Sequence, residues 1–263
     1  MRFIPTLVLC GCATAALAQT AAPVTVTKDS QAVKLMTQMI IATGWSTASL
    51  PSDAVLSGTI THYEPTETTL SLKMETTGPS QLRLEINDGN SPKTTIVNSG
   101  EGAVIRPNST HSLPTHSALA MRPIHLPFFS GLSAWSDPAI SVAYKNVETV
   151  NGQQAYRISL TRPNITADAM GTLLARASWM DVWISQQSML PVQISYEQIG
   201  TANPNARFVE VAQFSDFRNV GGLLVPFHQE IYLGSRHLFS LQVSTVQFNV
   251  GVSATDFALP LGH

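Results

Sequence analysis

Residues 209–260 read VEVAQFSDFRNVGGLLVPFHQEIYLGSRHLFSLQVSTVQFNVGVSATDFALP. Between Leu223 and Leu233 the apolar residues Leu223, Val225, Phe227, Ile231 and Leu233 take alternate positions, broken once by Gln229. A period of two marks a strand with one buried face, because successive side chains point to opposite sides of a sheet. Gly221-Gly222 and Gly234-Ser235 punctuate the run. Such pairs suit tight hairpins, so the stretch predicts three antiparallel strands in a meander. The last strand is expected to bury Leu238, Val246, Phe248 and Val250, and Phe257 to plug the end of the chain.

The same rhythm runs upstream. Leu56, Ile60 and His62 share a face, as do Leu70, Leu72 and Met74, then Leu82, Leu84 and Ile86. Turns are expected at Asp88-Gly89-Asn90 and around Gly100-Glu101-Gly102, with short strands at Ile96 and Val104-Ile105. Ile140, Val142 and Tyr144 pair across Asn151-Gly152 with Tyr156, Ile158 and Leu160. Met180, Val182 and Ile184 turn at Gln187-Ser188 into Val192, Ile194 and Tyr196. The intervals 107–135 and 163–177 carry no strand pattern; each has room for a short helix, over 115–121 and 167–177. A further helix is predicted over 31–43, capped by Ser30 and ended by Gly44, with Val33, Met36, Met39 and Ile40 as its apolar stripe.

Phe214–Pro226, written F-x-D-F-R-x-V-x-G-x-L-x-P, is followed by a long strand, Asn249 and D-F-x-L-P at Asp256–Pro260. This pattern resembles the C-terminal half of LolA/LolB-like periplasmic lipoprotein carriers, and the likeness extends over about two-thirds of the chain through the strand rhythm. The resemblance implies a carrier or sensor of lipids or lipid-modified proteins, without catalysis or cofactor. Envelope-stress sensors of similar fold offer the alternative, a regulatory module that binds an envelope protein partner.

Met1-Arg2, an apolar run to Leu17 and Ala16-Leu17-Ala18 make a secretory signal peptide over 1–18, too short to be a permanent span. Cleavage after Ala18 is the preferred reading and predicts a periplasmic or secreted protein. The rival, lipidation at Cys12, leaves an unusually short apolar core ahead of it. Both cysteines, Cys10 and Cys12, fall in this segment, so no disulfide supports the rest. Residues 19–29 read as a linker and 30–263 as one domain, long enough to stand on its own core. Charged residues are 12% and the net charge is −2 with no basic tract, which gives nucleic acid no electrostatic footprint. No second apolar run approaches membrane-spanning length.

Chemistry has little to stand on. No Gly-x-Ser-x-Gly elbow occurs, so no catalytic residue is assigned. Of the seven histidines, none has a helical i, i+4 partner. His111, His116 and His125 lie in a proline-broken loop and are read as solvated, with no metal site and no cofactor expected. Asp181 and Glu197 hold polar strand positions and are expected to face solvent. Asn108-Ser109-Thr110 and Asn164-Ile165-Thr166 match a glycosylation triplet that is frequent by chance.

The unusual feature is apolar. Phe128, Phe129 and Trp135 sit in an irregular segment where polar residues are the rule. Rings of this kind bury about 150–250 Å² each, on the order of 10 kcal/mol of gross burial for the three. The segment must therefore pack on something, as a fixed plug or as a lid over a cavity.

The fold expected is mainly β: a curved antiparallel sheet of about ten or eleven strands, an incomplete barrel, because a sheet that long curls. The N-terminal helix and the 107–135 segment cover its concave face. An apolar ligand, such as a lipid or lipoprotein acyl chain, is expected against Met36, Met39 and Ile40 of the helix and Leu72, Met74 and Leu84 of the sheet. Phe128, Phe129, Leu132 and Trp135 form the expected lid.

Overall fold

A computed structural model describes residues 25–45, 50–87, 89–130, 132–164, 168–203 and 205–260. The expected signal peptide and the start of the linker lie outside the described residues, as do Asp88, Gly131, Ile165, Thr166 and His263.

Thirteen strands form one antiparallel sheet. The first half is a meander of β1 (Ala54–His62), β2 (Thr68–Thr76), β3 (Gln81–Asn87), β4 (Lys93–Asn98), β5 (Glu101–Arg106) and β6 (Ser109–Ser112). The second half continues with β7 (Ser141–Val150), β8 (Gln153–Thr161), β9 (Met180–Ser185) and β10 (Pro191–Ile199). It ends with β11 (Arg207–Val220), β12 (Leu223–Leu233) and β13 (Arg236–Phe248). The last strand lies beside the first, so the order is β6-β5-β4-β3-β2-β1-β13-β12-β11-β10-β9-β8-β7 and the sheet stays open between β6 and β7. The count exceeds the expected one partly because β6, four polar residues long, lies inside the 107–135 interval. An edge strand with no buried face leaves no alternation to detect.

The 209–260 meander forms as its glycines dictate. Gly221 and Gly222 take φ of +61° and +94°, and Gly222 N donates to Asn219 Oδ1 at 3.0 Å, closing a turn that β-carbons would strain. The burial of β13 departs from the even-numbered pattern: Leu241 and Val243 are buried, then Val246, while Val250 is half exposed. A β-bulge explains the change of phase. Ser57 opposes Thr245 and Gly58 opposes Val243, so Ser244 is an extra residue and the faces exchange there.

Helix α1 (Ser30–Ala42) is capped one residue earlier than expected, by Asp29, whose carboxylate accepts from Ala32 N at 2.9 Å. Its buried stripe is Ala32, Leu35, Met36, Met39 and Ile40; Val33 is only partly covered. The residues just before it shield the sheet's edge at β7. Val142 N donates to Thr27 O at 2.8 Å and Asp29 N to Val142 O at 2.9 Å. Helix α2 (Thr115–Ala120), a 3-10 turn at Leu132–Ser136 and helix α3 (Ala169–Ser178) occupy the two expected intervals. One apolar cluster joins α1, α2, residues 124–132 and strands from both halves of the sheet.

On the opposite face, Asp181 and Glu197 are 1% and 2% exposed, contrary to the solvent-facing expectation. Arg157 bridges Asp181 at 2.5 Å and Glu148 at 2.9 Å, and Arg176 Nε donates to Glu197 Oε1 at 2.6 Å. Long arginine stems lie over the carboxylates and bury them, which alternation alone does not reveal. Phe257 is the plug expected, fully buried, with its carbonyl and that of Asp256 accepting from Asn98 and Arg83.

Candidate ligand-binding site

The site builds from the segment after α2. Residues 121–130 fold on themselves: Phe129 N donates to Leu126 O at 2.9 Å and Ser130 Oγ to Pro127 O at 2.5 Å. Proline-interrupted turns with internal partners let an irregular backbone be buried. Trp45, just past α1, stacks on Phe128 with centroids 4.4 Å apart and meets Phe129 edge-on at 5.9 Å. Phe248 closes the group, parallel to Phe129 at 6.4 Å. Gly44 allows this junction. Its φ is +75°, and a β-carbon there would collide with the Gly222 carbonyl.

Every expected site residue falls in the one apolar cluster. Met36, Met39, Ile40, Leu72, Met74, Phe128, Phe129 and Leu132 are buried in it; Leu84 and Trp135 pack against it from partly covered positions. They form a dense interior and do not line the cleft described below. Phe128 and Phe129, with Trp45, also border a small pocket of about 140 Å³. Trp135 Nε1 is buried and meets no acceptor among the described residues. Lys28 Nζ fastens that end of the segment, donating to the carbonyls of Trp135 at 2.6 Å and Asp137 at 2.7 Å.

A cleft of about 470 Å³ opens between α2, β4, β8, β9 and the 121–140 stretch. Val97, Leu119, Ile140, Leu160 and Met180 supply its apolar wall; Arg122, Arg162, Asp137, Ser130 and Ser178 supply its polar groups. Its size falls in the range of about 300–1,000 Å³ usual for small-molecule sites. A second opening of about 370 Å³ shares Met121 with it and reaches Glu210. Glu210 accepts from Tyr196 Oη at 2.5 Å, and burial raises the pKa of both groups.

Sequence reasoning missed Arg122, Trp45 and the His125–Gln229 pair. Arg122 and His125 are the two polar side chains in the otherwise apolar run 121–129, and Gln229 is the one break in its strand's alternation. Those interruptions were the available signal. His125, expected to be solvated, is buried instead beside Gln229, and burial lowers its pKa to about 4, so its ring is neutral at pH 7. His111 lies on β6, and His116 Nε2 sits 3.1 Å from the Gly200 carbonyl. No group of three metal-ligating side chains occurs among the described residues. No helix among them is long and apolar enough to cross a membrane.

No family model and no curated protein sequence matches the chain. Solved structures do. An outer membrane lipoprotein-sorting protein domain from Vibrio parahaemolyticus aligns over 86% of this chain and 96% of its own, with TM-score 0.57 and 8% identity. A LolA superfamily protein from Nitrosomonas europaea aligns over 87% of this chain and 97% of its own, with TM-score 0.53 and 12% identity. The fold is LolA-like. A DUF1329 family protein from Desulfovibrio piger shares it too, with TM-score 0.56 and 12% identity over 87% of this chain and 96% of its own. At such identities the LolA-like likeness is one of fold alone, and the side chains of the cleft are this chain's own.

Proposed function

We propose that this chain is an exported, non-catalytic binding protein that holds an acyl chain, lipid or lipoprotein moiety against the covered face of its sheet. The observation that carries the reading is the cleft of about 470 Å³ whose apolar wall comes from both halves of one open sheet. Residues 30–263 act as one domain in this proposal, released by cleavage after Ala18 into the periplasm or the medium. The names of the similar structures, a lipoprotein-sorting protein domain and a LolA superfamily protein, support a lipid-handling role.

The segment around Phe128, Phe129, Leu132 and Trp135 serves as the lid. Ser130, beside Phe129, lines the cleft, so displacing this segment would join the cleft to the interior at Met36, Met39, Ile40, Leu72, Met74 and Leu84. A chain longer than the cleft would then extend among flexible methionines, which repack readily. Titration of the purified protein with a fluorescent fatty acid, together with native mass spectrometry of protein from a periplasmic fraction, tests the proposal. Saturable binding, or a co-purified lipid mass, supports it. Absence of both would sink it and leave the envelope-partner module as the reading to pursue.

A further inference from the structure

Among the described residues, Arg122 lines the cleft as a cation with no carboxylate bound to it. It lies two residues past the end of α2, and Nη1 donates to the Ser130 carbonyl at a long 3.4 Å. No carboxylate among the described residues pairs with it. Burial lowers its pKa to about 10, so the guanidinium is still protonated at neutral pH. Tyr196, the acidic group whose field reaches Arg122, has its own pKa raised by burial and is neutral there. The carboxylate that lines the cleft, Asp137, is already engaged: Oδ2 lies 3.4 Å from Arg162 Nη2 and Oδ1 accepts from Ala139 N at 2.7 Å.

Two arginines against one aspartate leave the cleft positive, beside a wall of Val97, Leu119, Ile140, Leu160 and Met180. Arg122 is only partly covered, and the guanidinium donors beyond the one to Ser130 are open to a carboxylate or phosphate that accepts from them in the cleft. A purely apolar ligand would leave the charge without a partner and would cover it from water as well.

We propose that the cleft takes an anionic amphiphile, a carboxylate or phosphate head on an alkyl chain, with the head at Arg122 and the chain on the apolar wall. This assignment rests on the apolar-ligand reading above and adds to it the charge of the ligand and the residue that selects it.

Competition titrations on the full chain decide the matter. The probes are a dansyl-labelled fatty acid, the fatty alcohol and alkyl phosphate of equal chain length, and inorganic phosphate. The acid and the alkyl phosphate are expected to bind about tenfold or more tightly than the alcohol, and inorganic phosphate to compete weakly. Arg122→Gln should abolish that preference, weakening the acid and the alkyl phosphate and not the alcohol, and Arg122→Lys should retain part of it. Equal binding of acid and alcohol by the wild type would overturn the head-group assignment and leave the apolar-ligand reading standing. Binding of neither would overturn both. Inorganic phosphate competing as well as the alkyl phosphate would show a site for the free ion and remove the chain from the proposal. A preference that survives in Arg122→Gln would remove Arg122; if that variant does not fold, the wild-type ratio and Arg122→Lys carry the test.

Discussion

His125 and Gln229, 104 positions apart, exchange two hydrogen bonds in the interior: His125 Nδ1 donates to Gln229 Oε1 at 3.0 Å, and Gln229 Nε2 to the His125 carbonyl at 2.8 Å. Gln229 is 0% exposed and lies on the apolar face of β12. The pair ties the 121–130 segment to the middle of the sheet. It fixes the position of that segment more specifically than apolar contact does, because a misplaced segment leaves two buried polar groups unsatisfied.

Gln229→Leu should therefore lower stability by about 1–3 kcal/mol, although it restores perfect alternation to the strand. Equilibrium denaturation in urea measures it. An unchanged midpoint would mean that His125 finds another partner.

The same pair gives a pH dependence. His125 titrates near 4 when folded and from an ordinary 6.5 when unfolded, so between these values the unfolded chain binds the extra proton. Its contribution is complete above pH 6.5 and is lost as pH falls toward 4, with a slope of at most about 1.4 kcal/mol per pH unit. Denaturation midpoints across this range should show the slope in the wild type and a shallower one in His125→Gln.

Phe227 is buried on β12, and Phe227→Ala should cost about 3–5 kcal/mol. Val250 lies beyond the bulge-shifted strand and is half exposed, so Val250→Ala should change stability by no more than about 0.5 kcal/mol. Comparable losses in chemical denaturation of the two variants would show that Val250 is packed, as the even-numbered pattern expected.

Glu197 sits between Arg176, whose side chain is 18% exposed, and Arg207, which is 68% exposed. Arg176→Ala should cost about 3–5 kcal/mol by stripping a buried carboxylate, whereas Arg207→Ala should cost under about 1 kcal/mol. Thermal unfolding of the two variants ranks them, and the reverse order would show that Arg207 carries the pair.

Trp45 and Phe128 stack face to face, and a double-mutant cycle with alanine should return a coupling of about 0.5–1.5 kcal/mol. Ligand that opens the lid should reduce that coupling. A coupling near zero without ligand would mean the rings do not hold the segment shut.

The sequence by itself determined the strands with one buried face and the turns between them. Alternation and positive-φ residues act over a few positions, so Leu223–Leu233 and the Asn151-Gly152 hairpin could be read locally, as could the helix ended by Gly44. It also showed that Phe128, Phe129 and Trp135 had to be packed, since rings of that area do not stay wet. Tertiary structure alone decided what they pack on. Trp45 lies 83 positions before Phe128 and Gln229 lies 104 positions after His125. Contacts of that span leave no periodic trace. The phase change at Ser244 depends on a mismatch with β1, where Ser57 lies 187 positions away. The burial of Asp181 and Glu197 depends on arginines from neighbouring elements, and the place of Arg122 in the cleft on the folding of its segment. Local patterning selects which face of an element is apolar; only the assembled sheet settles which polar groups that face encloses, and with what partners.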